Sequence, residues 1–434
     1  MKNTVMLAML VVLVAAITHQ ADARQNVLQL DSLSMAQAVQ LALQHHPSIR
    51  GANAALSSAS AQLTQAEASY FPSVTASASF SRTDGAFVFN PSIPTRLQSY
   101  NNYTSAVQVQ QNIFDFGKTI GRVSAGSDFL SAADADLAST TSTVIMNAQL
   151  AYLAYVQAIQ IERVNEQAVD EATRHLAETK AFYTVGTRAQ FDVTKAEVDL
   201  ANANVDLIRG RNQVRVQRLQ LENAMGVHPE GEFHVQDISE IEPFDMPMDS
   251  TIHIAYAERP ELLAARARVS ANEALVSAAW SQHLPTLSAF GTLTYSNYNL
   301  PLFGRWNAGV TLSFPIFLGF SLNAQVNQAE ANAEIARSNL DLLLESTRLD
   351  VEQNYLGLKE ARERITATQK LVEEAEQGLN LAERQYAAGV GTALEVTDAQ
   401  LTLSNARIAR IQALSDYSSS LVRLKNAMGV LKSE

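Results

Sequence analysis

"FYTVGTRAQFDVTKAEVDLANA", residues 182–203, and "QYAAGVGTALEVTDAQLTLSNA", residues 385–406, carry one scaffold twice. Tyr183 answers Tyr386, Gly186 answers Gly389, and Asp192-Val193-Thr194 answers Glu395-Val396-Thr397, every pair 203 positions apart. Glycine in the middle of a long proline-free stretch marks a helix that ends and turns back. The turns are Val185-Gly186-Thr187 and Gly389-Val390-Gly391. "NAMGV" closes both copies, at 223–227 and 426–430, and Tyr152 matches Tyr355 at the same offset. Earlier in each copy the offset is 213, as in Pro47 with Pro260 and Pro72 with Pro285. The chain is therefore a duplication whose first copy holds a longer loop after Pro72.

Proline maps the elements. All 11 prolines fall outside 95–228 and 316–434, and those two stretches are rich in Ala, Leu, Gln and Glu. Such composition permits long helices, and periodicity argues for them. Leu358, Ile365, Val372, Leu379 and Tyr386 repeat every seventh residue, each of the first four followed three residues later by Ala361, Thr368, Ala375 or Ala382. Large residues facing small ones make a close heptad seam. Leu394, Thr397, Leu401, Ser404 and Ile408 extend it, and Tyr155, Val169, Leu176 and Tyr183 keep its phase in the first copy. The pattern predicts long helices over about 118–183 and 320–386, return helices over about 188–225 and 392–428, and shorter ones near 48–70 and 261–281. A helix of the longest kind spans roughly 100 Å. A return helix stacked on a short one nearly matches that length, which gives a rod.

Four short segments alternate instead. They lie at about 73–83, 103–114, 286–297 and 305–316, with Val74/Ala76/Ala78/Phe80 or Trp306/Ala308/Val310/Leu312 on one face and Ser, Thr, Gln or Asn on the other. Each has the length of a membrane β-strand, and Tyr103, Tyr295, Tyr298 and Trp306 sit where an interfacial girdle would. Strands of a water-soluble sheet show the same alternation, but their polar face usually carries charge. Four strands cannot close a barrel, and an open edge cannot face lipid, so a membrane reading demands oligomerisation.

At the start, Lys2, the apolar run "VMLAMLVVLVAAI" and Ala21-Asp22-Ala23 read as a signal peptide, too short to span a bilayer. The chain has 434 residues, no cysteine and a net charge of −12. Disulfides, thiolate metal sites and a lipidated cysteine are thereby excluded, and nucleic acid is an unfavourable partner. The histidines lack zinc spacing, and "GVGT" at 389–392 lacks the strand and lysine of a phosphate loop, so neither metal nor cofactor is expected. No catalytic constellation stands out, and the chain is not read as an enzyme.

Signal peptide, duplication, paired strands and Ala-rich hairpins resemble the TolC family of outer-membrane efflux and secretion ducts. The tip phrases are the most specific part of the resemblance, supported by "NIFDFG" and "PIFLG" where a strand hands over to a long helix. The resemblance implies a mainly α fold with a membrane β-barrel contribution, built of two repeats, each a β-hairpin plus long antiparallel coiled-coil helices. Three copies would form a 12-stranded barrel and a 12-helix periplasmic barrel. It divides the chain into a signal peptide (1–23), a first repeat (24–227), a Pro-rich equatorial segment (228–254) and a second repeat (255–434).

The implied function is a passive exit duct in the Gram-negative outer membrane, serving a tripartite efflux pump or type I secretion system. Its implied partners are outer-membrane lipid, a periplasmic adaptor (membrane fusion protein) docking at the tips, and an inner-membrane transporter of RND, ABC or MFS type. By position, Glu395 and Asp398 match the acidic ring at the family's entrance, and at i and i+3 they share a helix face. Tyr386 and Asp192 match the family's closed-state latch. Its arginine position is Gly391 here, while Arg188 and Lys195 stand at the equivalents of Gly391 and Asp398 in the first tip. The expectation is therefore that Arg188 or Lys195 pairs with Glu395 or Asp398. The rival reading is a periplasmic coiled-coil adaptor or structural protein that never enters the membrane; it would not need strands of membrane length.

Overall fold

The computed structural model describes residues 32–86, 97–228, 233–236 and 242–432. The expected signal peptide lies outside the described residues. In chain order come strand β1 (Ser32–Leu33), helices α1 (Met35–His45) and α2 (Pro47–Glu67), and strands β2 (Ser73–Ala86) and β3 (Leu97–Phe114). The long helix α3 (Lys118–Thr184) and its return α4 (Gln190–Met225) complete the first copy. Strand β4 (His234–Val235) and helix α5 (Met248–Glu258) follow, then α6 (Pro260–Trp280), β5 (Thr286–Asn297), β6 (Phe303–Ser313), α7 (Ser321–Ala387) and α8 (Ala393–Ala427).

The long helices α3 and α7 are each 67 residues. Beside α3 run α4 and α2, of 36 and 21 residues, and beside α7 run α8 and α6, of 35 and 21. Helix α6 also packs along α3 and so joins the two copies. Proline at the first position of α2 and of α6 fixes where each short helix starts. The repeated "NAMGV" then becomes intelligible. Gly226 and Gly429 both have left-handed φ, at 68° and 74°, and end α4 and α8 against the joints before those prolines. A Cβ on Gly226 would lie 2.9 Å from His46 Cα, and one on Gly429 2.6 Å from Arg259 Cα. Only glycine allows both the turn and the backbone approach.

Two apolar clusters hold the middle of the rod. One gathers Leu33, Tyr152, Tyr155, Leu221, Met225 and Phe233; the other gathers Val351, Leu358, Tyr417, Leu421 and Leu424. The Tyr152 hydroxyl lies 3.0 Å from Leu33 O and 2.9 Å from Gln236 O, and accepts from Gln236 N, which ties the parallel β1–β4 pair to α3. Tyr417 donates to Glu242 O at 2.8 Å in the second copy. One window of α3 is apolar enough to span a membrane by composition, but half of it is buried inside the fold. Helices α1 and α5, additional to the helices predicted from periodicity, pack into these two clusters through Ala38 and Ala255.

The four strands make one antiparallel sheet, β2-β3-β5-β6, in which β3 and β5 join the copies. β3 starts at Leu97, six residues before the expected start, because β2 continues past residue 83 and pairs with it as far as Ala86. β6 ends at Ser313 rather than 316, since Pro315 has no N–H for the ladder. The handover to the long helix differs between copies. In the first, the Asp115 carboxylate accepts from Thr119 N (3.0 Å), Thr119 Oγ1 (2.5 Å) and Asn112 Nδ2 (2.8 Å), capping α3 after left-handed Phe116 and Gly117. The second copy has Leu318 at that place and enters α7 through left-handed Gly319 and Phe320 alone.

The seams need two corrections. Ala361, Thr368, Ala375, Ala382 and Tyr386 are buried as read, but in the tip half of α8 the buried residues are Ala393, Val396, Leu403 and Ala406, while Leu394 and Leu401 are exposed. On α3 the buried stripe near the tip is Val164, Asn165, His175 and Thr179, not Leu176 and Tyr183. Both shifts have one cause. Helices α3 and α8 touch each other as well as their own hairpin partners, so each must serve two neighbours and its buried stripe turns between them.

Candidate functional site

The two tips close by the same hydrogen bonds and different caps. At the first, Gly186 (φ 78°) lets Gly186 N reach Tyr183 O at 2.9 Å and Thr187 N reach Phe182 O at 3.0 Å. The following Ala189, an extended residue, starts α4 without any side-chain cap, so Arg188 and Ala189 stand outside the helix. At the second, Gly389 (φ 76°) lets Gly389 N reach Tyr386 O and Val390 N reach Gln385 O, both at 3.0 Å. Gly391 is packed so closely that a Cβ there would lie 3.0 Å from Tyr386 N. A capping box then begins α8: Thr392 N donates to Glu395 Oε2 at 2.8 Å and Glu395 N to Thr392 Oγ1 at 3.3 Å.

Glu395 and Asp398 are both exposed on the first turns of α8. Glu395 thus has a structural duty as a cap besides any role as a charge. Asp398 makes no side-chain hydrogen bond or ion pair among the described residues. The two sit as i and i+3 neighbours on one face of α8.

The expected latch residues come together only in part. Tyr386 is 5% exposed and is the centre of the contact between hairpins. The Arg188 guanidinium lies over its ring at 4.1 Å, and Nη2 donates to Tyr386 O at 3.2 Å. Phe182 and His175 pack on the same ring, with centroids 6.2 and 5.7 Å away. The Tyr386 hydroxyl is buried with no hydrogen-bond partner among the described residues. Lys195 pairs with Asp199 one turn along α4, and Asp199 Oδ2 accepts from Thr397 Oγ1 of α8 at 3.2 Å. Neither Arg188 nor Lys195 meets Glu395 or Asp398 among the described residues. The aromatic ring and an acid on its own helix lie nearer to them. Asp192 is half-buried in the first turn of α4, near His175.

His175, Thr179 and Asp199 are contact residues that sequence reasoning missed, whereas Thr397 lies on the predicted seam. The 175/179/182 spacing on α3, one face of a helix, was the available signal. Burial holds the His175 imidazole below its ordinary value, against the pull of Glu178, Asp199, Glu383 and Asp192. Farther from the tip, Arg407 of α8 reaches Glu171 of α3 (3.6 Å) and Glu376 of α7 (3.5 Å). A groove of about 480 Å³ lies between the hairpins, lined by Asn165, Asp199, Asn202, Thr397, Gln400 and Leu401 among others. Among the described residues no group of acids and histidines is arranged to hold a metal ion.

Comparison with known proteins accords with this architecture. The profile of the family described as outer membrane efflux protein matches residues 38–227 and 251–430, one match per repeat. Outer membrane protein TolC of Escherichia coli (strain K12) is 26% identical over 356 residues, covering 77% of this chain and 71% of that protein. Protein CyaE of Bordetella pertussis is 26% identical over 422 residues, covering 93% and 85%. The crystal structure of the Campylobacter jejuni CmeC outer membrane channel superposes with a TM-score of 0.81 at 22% identity, covering 91% of this chain and 85% of that one. The match over both repeats, on a fold shared with outer membrane channels, makes this chain a member of the outer membrane efflux protein family.

Proposed function

We propose that three copies of this chain form an exit duct through the Gram-negative outer membrane, conducting cargo passively from a periplasmic adaptor and an inner-membrane transporter to the exterior. The observation that carries this reading is the sheet. Val74, Phe80, Val107, Trp306, Val310 and Leu312 line one face and stand exposed, and β2 and β6 leave both edges unpaired. Such a face suits lipid, and such edges suit closure by further copies. Helix α7 adds a second unpartnered stripe: Ile335, Leu342, Leu349 and Leu356, every seventh residue, are exposed. That stripe is a coiled-coil seam without its partner, and a neighbouring copy would supply one.

The tips are the gate in this reading. Arg188 on Tyr386, and Lys195–Asp199–Thr397, hold the first hairpin against the second in the closed state. Glu395 and Asp398 from three copies ring the entrance. Part-buried polar contacts of this kind, still reached by solvent, contribute only about 1 kcal/mol each, so opening needs only a few to be displaced together by a docking adaptor. The turns 185–187 and 389–391 are the docking surface. Cells expressing the full chain test the assembly cheaply. The expected result is a heat-resistant oligomer of three chains in the outer-membrane fraction. A soluble periplasmic monomer or dimer would reject the duct.

A further inference from the structure

The described strands carry only three charged residues: Arg82, Asp84 and Arg305. The register of the sheet assigns each a face. Arg82 and Asp84 fall in line with Val74, Ala76, Ala78 and Phe80, on the apolar face, beyond the Phe80–Tyr103 ring contact. There Asp84 accepts from Ser99 Oγ. Arg305 falls on the opposite face. It is directly across from Thr294, while its neighbours Gly304 and Trp306 face Tyr295 and Leu293 on the apolar side. Following the same level across the sheet gives Thr294, Ala106 and Ser77, all neutral. Arg305 is exposed and has no ion pair or hydrogen bond among the described residues. It is the third residue of β6, beside the turn at 298–302, at the end of the sheet away from the helices.

We propose that Arg305 projects into the lumen of the closed barrel and forms, with its two symmetry copies, a collar that draws small anions to the outer half of the pore. This rests on the duct reading, which supplies the lumen. Three guanidinium groups at one level, with no carboxylate on the same face of the described strands, leave a local positive potential. A low-dielectric wall focuses that potential into the water of the pore. The collar is opposite in sign to the acidic residues at the tips, at the other end of the duct. Anionic cargo thus meets an attractive station on its way out, and cations meet a repulsive one.

The test is the cation-to-anion permeability ratio of single channels in a planar bilayer, read from the reversal potential in a potassium chloride gradient. Screening sets the conditions: the Debye length is about 30 Å at 0.01 M salt and about 3 Å at 1 M, so the effect belongs to dilute salt. Replacing Arg305→Gln is expected to raise the ratio about two- to fivefold near 0.01 M, Arg305→Glu to raise it further, and both effects to fade at 1 M. Arg305→Lys is expected to keep the parent ratio, which a purely structural role for the guanidinium would not predict. Because the chain has no cysteine, Arg305→Cys offers a single thiol. A cationic thiol reagent added to the pore should restore the parent ratio, and an anionic one should reproduce Arg305→Glu. Equal ratios in the parent, Arg305→Gln and Arg305→Glu in dilute salt would overturn the collar, as would a thiol that no water-borne reagent reaches in conducting channels. Folded trimers that conduct in no variant, the parent included, would instead overturn the duct itself, and the collar with it.

Discussion

The two hairpin tips share a sequence scaffold and differ in what holds them. The second is self-sufficient. Its α8 starts on a Thr392–Glu395 capping box, and Ala382, Tyr386, Ala393 and Val396 form a small buried core of its own. The first has neither. Ala189 caps nothing, and Tyr183, Val185 and Phe191 stand exposed. What fixes the first tip is borrowed: Arg188, Phe182 and His175 lean on Tyr386 of the second. The lesson is that duplication need not give two equal arms. One tip is a post and the other leans on it.

This asymmetry can be broken at several points. The largest effect is expected at the helix joints, where Gly429→Ala adds a left-handed strain and a clash with Arg259 backbone. A loss of about 2–4 kcal/mol should appear in thermal unfolding of the purified protein. Gly226→Ala should cost somewhat less, because its contact with His46 is 0.3 Å longer (2.9 against 2.6 Å). Next comes Tyr386→Ala, which removes the core of the post and the support of the leaning tip. About 3 kcal/mol is expected, with limited proteolysis cutting both tips rather than one. Tyr386→Phe removes a hydroxyl that has no partner among the described residues and should be nearly neutral; a cost comparable to the alanine change would mean that the hydroxyl is engaged.

Caps give a finer contrast. Thr392→Ala should destabilise the second tip by about 1 kcal/mol, while Ala189→Ser should stabilise the first by about 0.5–1 kcal/mol by giving it the cap it lacks. Amide exchange at the two tips would read both. If the two substitutions changed exchange alike in direction, the difference between the tips would not lie in capping.

The smallest effect is a pH dependence. Burial depresses the folded value of His175, so between the folded value and the ordinary 6.5 the unfolded chain binds the extra proton. The contribution is therefore complete above about pH 6.5 and declines as pH falls below it. Stability measured from pH 7.5 to 5 should lose part of its slope in His175→Gln. An unchanged slope would place the titration elsewhere.

Much of this architecture was legible in the sequence because duplication writes each signal twice. Glycine at 186 and 389, prolines at 47 and 260, and period-two strands all point to structure through local backbone rules. Side-chain partners were less legible. The stripe of α8 was read one face away, as Leu394 and Leu401, because a helix serving two neighbours presents two seams and periodicity cannot say which is buried first. Arg188 was expected to seek a carboxylate, yet an aromatic face from the other copy stands nearer. That contact joins two residues 198 apart in sequence and depends on how the two hairpins lie together, which no local pattern encodes.

The most direct measurement of the central claim is conductance of the purified full-length oligomer in a planar bilayer, with and without the tip contacts. The account predicts small, cation-selective currents from the parent protein, larger currents from Arg188→Ala, and a weakened cation preference in Glu395→Ala/Asp398→Ala. Folded trimers that never conduct, or that conduct identically with Arg188 and both carboxylates replaced, would contradict it.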